Sequence, residues 1–192
     1  MQNIIQQNND RTNIIVVYLG ISLCSIIANF IAFLFQFLLN ELPCPLCLLQ
    51  RFGLLAVNIG TLLNIKHGKS LQYDIMIVTA ILVTMIVAVR QMMLHIIPND
   101  PGYGSAFFGI HIYTWSFILS FIIIVSMAIA PLFDYMIPVR IHEMILTHKI
   151  QVWKVLSVIV LILTFANLIS TYFICGFSMC PSDPTSYSRG LE

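Results

Sequence analysis

The sequence predicts an all-α polytopic membrane protein with five spanning helices. Three observations carry this. Hydrophobic residues make up 59% of the 192 positions and charged residues only 9%, against about 25% charged in an average soluble domain. Mean hydropathy is +0.93. The few charges are also spaced so that long apolar runs lie between them. A chain of this length suits one domain, but a small soluble domain leaves too much surface exposed to hide so much apolar side chain. Disorder and a soluble globular enzyme are excluded on the same ground. A net charge of +1 lacks the basic excess that nucleic-acid binding needs, so no nucleic-acid partner is expected.

The elements follow from the gaps, since a spanning helix needs about 20 mostly apolar residues. Nothing charged lies between Arg11 and Glu41, between Asp100 and Asp134, or between Lys154 and Asp183, which places helices at about 14–39, 111–133 and 154–174. Two further runs, about 46–65 and 75–96, are interrupted only by Arg51 and Arg90. The first helix exceeds a signal-peptide core of about 7–15 residues and no small-residue cleavage site follows it, so it reads as a permanent anchor. The Asn/Gln-rich start (Gln2, Asn3, Gln6, Gln7, Asn8, Asn9) reads as a short mobile tail. Short loops leave no room for a second domain, so residues 1–192 read as one integral-membrane domain ending in a tail at 175–192. Lys and Arg are retained on the cytoplasmic side. An inner N-terminus puts Arg11, Lys66, Lys69, Arg140, Lys149 and Lys154 inside and Arg51, Arg90 and Arg189 outside.

The cysteines hold the chemistry. Cys24, alone in the first helix, reads as a small apolar packing residue. The other four form a C-x-x-C at Cys44 and Cys47 and a C-x-x-x-x-C at Cys175 and Cys180. Four helices separate the pairs, so both return to one face. The charge bias makes that face the outer one, where disulfides persist. Pro45 suits the first position of a helix, which makes Cys44 its N-cap and puts Cys47 in its first turn. Helix N-termini and nearby cations favour reactive thiolates. Residues 44, 47 and 51 follow the i, i+3, i+7 pattern, so Arg51 shares the face of both sulfurs. An ionisable residue in a spanning segment marks a functional site by default.

Alternative readings exist for each feature. Four thiolates at C-x2-C and C-x4-C spacing could hold zinc, but an oxidising face and the lack of a polar zinc-ribbon loop argue against a metal. Plain structural disulfides fit the same spacing, and Arg51 alone would fit an interfacial anchor. Thiol–disulfide exchange is favoured because the arginine is in register with the pair. Gly176 suits a helix stop after Cys175, and the proline-containing tail beyond it reads as mobile enough to reach a soluble partner. The connection between the third and fourth helices brings Arg90, Gln91, His95 and His111 to the face of the first pair, where histidine suits proton transfer near neutral pH.

Taken together, Pro43-Cys44-Pro45-Leu46-Cys47, then Gln50-Arg51, and the run from Arg90 to Pro98 resemble the disulfide bond formation protein B (DsbB) family of bacterial inner-membrane enzymes. The resemblance covers roughly residues 14–133 and implies a four-helix DsbB-like bundle, with the fifth helix added. It implies a quinone cofactor, ubiquinone or menaquinone, contacted by Cys47 and assisted by Arg51, with Arg90, His95 and His111 as further cofactor-binding candidates. It also implies a second pair that passes disulfides to a DsbA-like periplasmic thioredoxin-fold partner. The family's second pair lies between the third and fourth helices. Here that loop has none, and Cys175 and Cys180 stand in its place on the same face.

The expected activity is therefore that of a membrane protein-disulfide oxidoreductase with quinone as electron acceptor. The expected catalytic residues are Cys44, Cys47, Cys175 and Cys180, with Cys180 exchanging with the partner. A DsbA-like protein near about −120 mV needs a strong electron sink to stay oxidised, since each 30 mV is about 1.4 kcal/mol for this couple. Two rivals stand. One is an electron conduit reducing outer thiols, which would need reactive cysteines on both sides. The other is a small transporter or metal-binding protein with structural disulfides, kept in view by Asn29, Asn58 and Asn167.

Overall fold

In the computed structural model, which describes residues 2–98, 100, 102–133, 139–177, 180, 181 and 184, each apolar run is a helix. These are α1 (Gln2–Leu38), α2 (Pro45–His67), α3 (Leu71–Leu94), α4 (Ile112–Phe133) and α5 (Val139–Cys175). All five contain a stretch long and apolar enough to cross a membrane. In lipid a helix satisfies its own backbone groups, and only helices and closed barrels do so across a bilayer.

The bounds differ from the sequence reading where charge was taken as a stop. No proline or glycine interrupts residues 2–19, so α1 continues back to Gln2 where a mobile tail was expected. The α3 helix starts at Leu71 rather than about 75, with Ser70 at the N-cap position and Asp74 in its first turn, where an acid suits the helix dipole. The spanning part of α5 starts at His148 rather than about 154. Lysine is a good helix former, and exposed Lys154, inside α5, can carry its stem along the helix surface without breaking it.

Helices α1 to α4 close a ring in which α1 packs on α2 and α4, and α3 packs on α2 and α4. Their shared core is Ile14, Ile15, Tyr18 and Ile21 of α1, Leu54, Val57 and Ile65 of α2, Ile77 and Ile81 of α3, and Ile123 and Ala130 of α4. The fifth helix lies outside the ring against α1 and α2, where Leu156, Val160 and Leu163 pack on Ile26, Phe33, Leu55 and Leu62. The fold is thus a four-helix transmembrane bundle with a fifth helix alongside.

Small and polar residues place the helices. On α1, Ser22, Ser25, Asn29, Ala32 and Gln36 are buried at alternating spacings of three and four, the repeat that keeps one stripe facing its neighbours. Small residues let membrane helices approach closely, and Gly60 of α2 does so against α3. A Cβ there would lie 2.6 Å from Ile77 Cγ1 and 3.2 Å from the Tyr73 carbonyl oxygen. Because part of that wall is backbone, Gly60→Ala should destabilise the protein by about 1–3 kcal/mol. Thermal unfolding in detergent checks this; an unchanged midpoint would contradict the packing.

Between α3 and α4 lies a short hairpin, β1 (Ala106–Phe107) and β2 (Ile110–His111), antiparallel with Ala106 opposite His111. Its turn residues Phe108 and Gly109 both have positive φ, 52° and 75°, as a two-residue type I′ hairpin requires. Nothing in the alternation of so short a segment foretold it. At the same end of the bundle, Leu48, Ile174 and Cys175 form a buried cluster with Leu42 and Cys180 against it. The two cysteine pairs therefore meet at one end, as helix parity requires.

Candidate functional site: a cysteine pair at the mouth of a buried cleft

The turn from α1 into α2 builds the first pair. Cys44 has extended backbone (φ −68°, ψ 163°) and is the N-cap of α2, with Pro45 next. Its sulfur accepts a hydrogen bond from the Cys47 N–H at 3.2 Å, one of the donors that a helix start leaves open. The sulfurs of Cys44 and Cys47 lie 2.7 Å apart as thiols. The Cys47 sulfur beside it, and then burial, hold the Cys44 thiol well above its ordinary pKa. Cys44 therefore keeps its proton.

A glutamine from α3 bridges the pair. Gln91, 1% exposed, donates from Nε2 to Cys44 Sγ at 3.3 Å and to Cys47 Sγ at 3.4 Å. Its Oε1 accepts from Gln50 Nε2 at 2.8 Å. The neighbouring Arg90 is exposed and lies outside the cleft described below. The register explains the difference: the buried positions of α3 run Ile77, Ile81, Thr84, Ala88, Gln91, and residue 90 falls off that stripe. Spacing alone, applied to a polar residue in an apolar helix, would have selected Gln91.

Arg51 is 7% exposed and turns toward α1. Its guanidinium donates from Nη1 to Gln36 Oε1 at 2.7 Å and from Nη2 to the Ala32 carbonyl at 2.8 Å. It also lies over the Phe33 ring, with Cζ 4.9 Å from the centroid, at cation–π range. Gln36 Nε2 in turn donates to Ser170 Oγ of α5 at 2.8 Å. A buried chain thus ties the fifth helix to the arginine. Ser170→Ala would leave a buried donor unpaired and should lower stability by about 1–3 kcal/mol. Ser170→Thr, which keeps the hydroxyl, should lower it less; equal losses in thermal unfolding would assign the effect to packing.

Cys47, Arg51, Gln36 and Gln50 line one cleft of about 370 Å³, and Cys44 does not. Ile27, Ile31, Phe35, Leu54 and Leu119 supply apolar wall, and Asn29 and Ser116 add polar groups. The loop before α4 adds Tyr103, Gly104 and Phe107 to the lining. Tyr103 OH donates to the Leu42 carbonyl, Ser105 donates to Glu41 from its backbone and hydroxyl, and Trp115 Nε1 donates to the Phe107 carbonyl at 3.0 Å.

His95 and His111 do not line the cleft, but Tyr113 does, and both imidazoles stack on it. Their centroids lie 5.8 and 5.2 Å from the Tyr113 ring. His95 Nδ1 meets Asp100 at 3.1 Å. The Gly102 N–H, and after it His95, hold the Asp100 carboxyl below the usual carboxylate range. Cys24 is exposed rather than packed, and it lines the cleft from α1 beside Ile27 and Ala28. Of the asparagines, Asn58 is bonded to Ser22 and to the Leu54 carbonyl, which gives it a role in joining α1 to α2.

Cys175 and Cys180 are joined by a disulfide. Cys175 is buried and Cys180 half-buried, packed around Leu42 and Leu48, which flank the first pair. The tail from 185 onward lies outside the described residues, as does the mobility expected of it.

Residues 15–104 match the family model of the disulfide bond formation protein DsbB. The match is narrower than the roughly 14–133 read from sequence, for it stops before α4. Disulfide bond formation protein B of Marinobacter nauticus is 33% identical over 82 residues, 40% of this chain and 49% of that protein. The chain thus spans about half the length of the curated relative it matches. No solved structure matches. The segment that carries the first cysteine pair, Arg51 and Gln91 is thus the part of the chain that is similar to the DsbB family.

Proposed function

We propose that this chain is a quinone-linked thiol–disulfide oxidoreductase that generates disulfides and passes them to a periplasmic DsbA-like thioredoxin-fold protein. One observation carries the reading: a thiol pair with one sulfur, Cys47, facing an apolar cleft that also holds a buried arginine. The chemistry of the cleft fits a quinone ring. Its walls are apolar, Arg51 offers positive charge, and two buried polar atoms on it, Asn29 Oδ1 and Ser116 Oγ, have no partner among the described residues.

A quinone held there supplies a sink for the two electrons and two protons released when a dithiol closes to a disulfide. The rest falls to the chain. Gln91 holds both sulfurs in line, and Gln50 holds Gln91. The neighbouring Cys47 sulfur and burial keep Cys44 protonated, and Cys44 lies off the cleft, which leaves Cys47 as the sulfur that faces the acceptor. Gln36, the Ala32 carbonyl and Phe33 hold the Arg51 side chain at the cleft wall.

The second pair continues the relay. A thiolate of the reduced tail pair attacks Cys44 Sγ, breaking the Cys44–Cys47 bond and releasing Cys47 as thiolate. The second tail thiol, once deprotonated, resolves the mixed disulfide, frees Cys44 and closes Cys175–Cys180. A partner thiolate then attacks Cys180, the more accessible sulfur, and the partner's second thiol completes the transfer. Each step exchanges one S–S bond for another without net electron loss. The shared packing around Leu42 and Leu48 supports this order.

We assign the cysteine end of the bundle to the periplasm and the N-terminus to the cytoplasm of a bacterial inner membrane. The support is the Lys/Arg bias, with Lys66, Lys69, Lys149 and Lys154 at the other end. The test is reconstitution of the full-length protein with a reduced periplasmic thioredoxin-fold oxidant and a short-chain soluble quinone. One quinone should be lost per two partner thiols. Partner oxidation at the same rate without quinone would reject the assignment.

A further inference from the structure

Asn29 of α1 is fully buried and Ser116 of α4 is nine-tenths buried. Both line the cleft, and Asn29 Oδ1 and Ser116 Oγ have no hydrogen-bond partner among the described residues. Inside a bilayer no bulk water compensates such atoms. Among the described residues, the other side chains with a buried unpartnered atom, Ser25, His111 and Asn167, do not line the cleft.

The amide of Asn29 cannot turn either way at no cost. Its Nδ2 donates to the Ser25 carbonyl at 3.0 Å, and a flip would set two carbonyl oxygens against each other. The unpartnered atom of this cleft-lining side chain is therefore an acceptor. Asn29 lies three residues before Ala32, whose carbonyl takes the Arg51 hydrogen bond, so it is about one helical turn further along the cleft wall. Ser116 differs in kind, since a rotating hydroxyl both donates and accepts.

These atoms treat the two forms of a quinone couple differently. A quinone oxygen only accepts hydrogen bonds; a quinol hydroxyl also donates. We propose that Asn29 Oδ1 accepts from a quinol hydroxyl and has nothing to accept from a quinone, whereas Ser116 Oγ binds a ring oxygen in either state. Asn29 thereby favours the reduced ligand and makes the bound couple a better electron acceptor. The proposal rests on the quinone reading above and assigns that site a contact selective for oxidation state.

The test uses full-length protein with Cys44 and Cys47 both replaced by serine, so that titration reads binding without turnover. Dissociation constants are measured for a short-chain ubiquinone analogue and, anaerobically, for its quinol, through quenching of Trp115, which lines the cleft, or by calorimetry. Asn29→Leu should weaken quinol binding roughly 3- to 10-fold, the loss of one hydrogen bond, and change quinone binding less than twofold. A tenfold change in that ratio is about 30 mV in the potential of the bound couple. Ser116→Ala should weaken both forms to a similar degree, again roughly 3- to 10-fold. Asn29→Ala repeats the test if the leucine variant does not fold. Equal weakening of both forms by the Asn29 variants, or none, overturns the selective contact; unchanged binding in Ser116→Ala overturns the role of the hydroxyl. If the parent protein binds neither form, the quinone reading itself fails and this contact with it.

Discussion

Cys47→Ser should abolish quinone-dependent oxidation of partner thiols, to the background of the uncatalysed mixture. Serine keeps a hydrogen-bonding atom for Gln91, 3.4 Å from the present sulfur, so the cap and the Gln50–Gln91 pair should survive. What is lost is the one thiol of the pair that faces the cleft, and with it the disulfide. Thermal unfolding should shift little, by about 1 kcal/mol, as is usual for a conservative single substitution. Quinone loss and partner thiol content, followed together, check this. Full activity in this variant would sink the proposed function, because no other cysteine of the first pair touches the cleft. Cys44→Ser should be equally inactive with protein partners, since Cys44 is the sulfur the tail pair attacks.

Replacing Cys175 and Cys180 together should separate the reaction into halves. Transfer to the thioredoxin-fold partner should fall to background. The first pair should still consume one quinone per dithiol in a single turnover, because neither tail residue lines the cleft. A small dithiol offered directly to Cys44 and Cys47 should restore turnover in part. The measurement is quinone loss with the small dithiol against quinone loss with the protein partner. Retention of full partner oxidation would make the tail disulfide structural, one of the alternatives its spacing leaves open. Removing the tail bond should also loosen the packing around Leu48 and Ile174. It closes a short loop, so the loss of stability should be small beside that for long-loop disulfides.

Much of the site was legible along the chain because its geometry is local. Pro45 and the three-residue spacing dictate a cap cysteine and a first-turn cysteine, and the structure has Cys44 capping α2 through the Cys47 N–H. Arg51 follows from the same helical period. Gln91 was legible in principle through the buried stripe of α3, but attention to charge favoured Arg90. The histidines lay at the right end of the molecule, yet they meet Tyr113 rather than the cleft. Which rings stack is a matter of loop conformation, and a loop with two prolines and two glycines between Ile97 and Gly109 has no period to read.

The sequence by itself determined that the chain is a five-helix membrane protein, that both cysteine pairs share one end, and that one arginine stands in register with the first pair. Hydropathy, the parity of crossings and the 3.6-residue turn are properties of the chain taken in order, and they need no knowledge of neighbours. Tertiary structure alone decided that Gln91 bridges the sulfurs, that Arg51 leans on α1, and that Ser170 of α5 supports it through Gln36. It also decided that Asn29 and Ser116 line the cleft, with Asn29 Oδ1 and Ser116 Oγ unpartnered among the described residues. Each of these joins residues far apart in sequence, and the choice among many polar partners is made by the packing of helices, which no local pattern encodes.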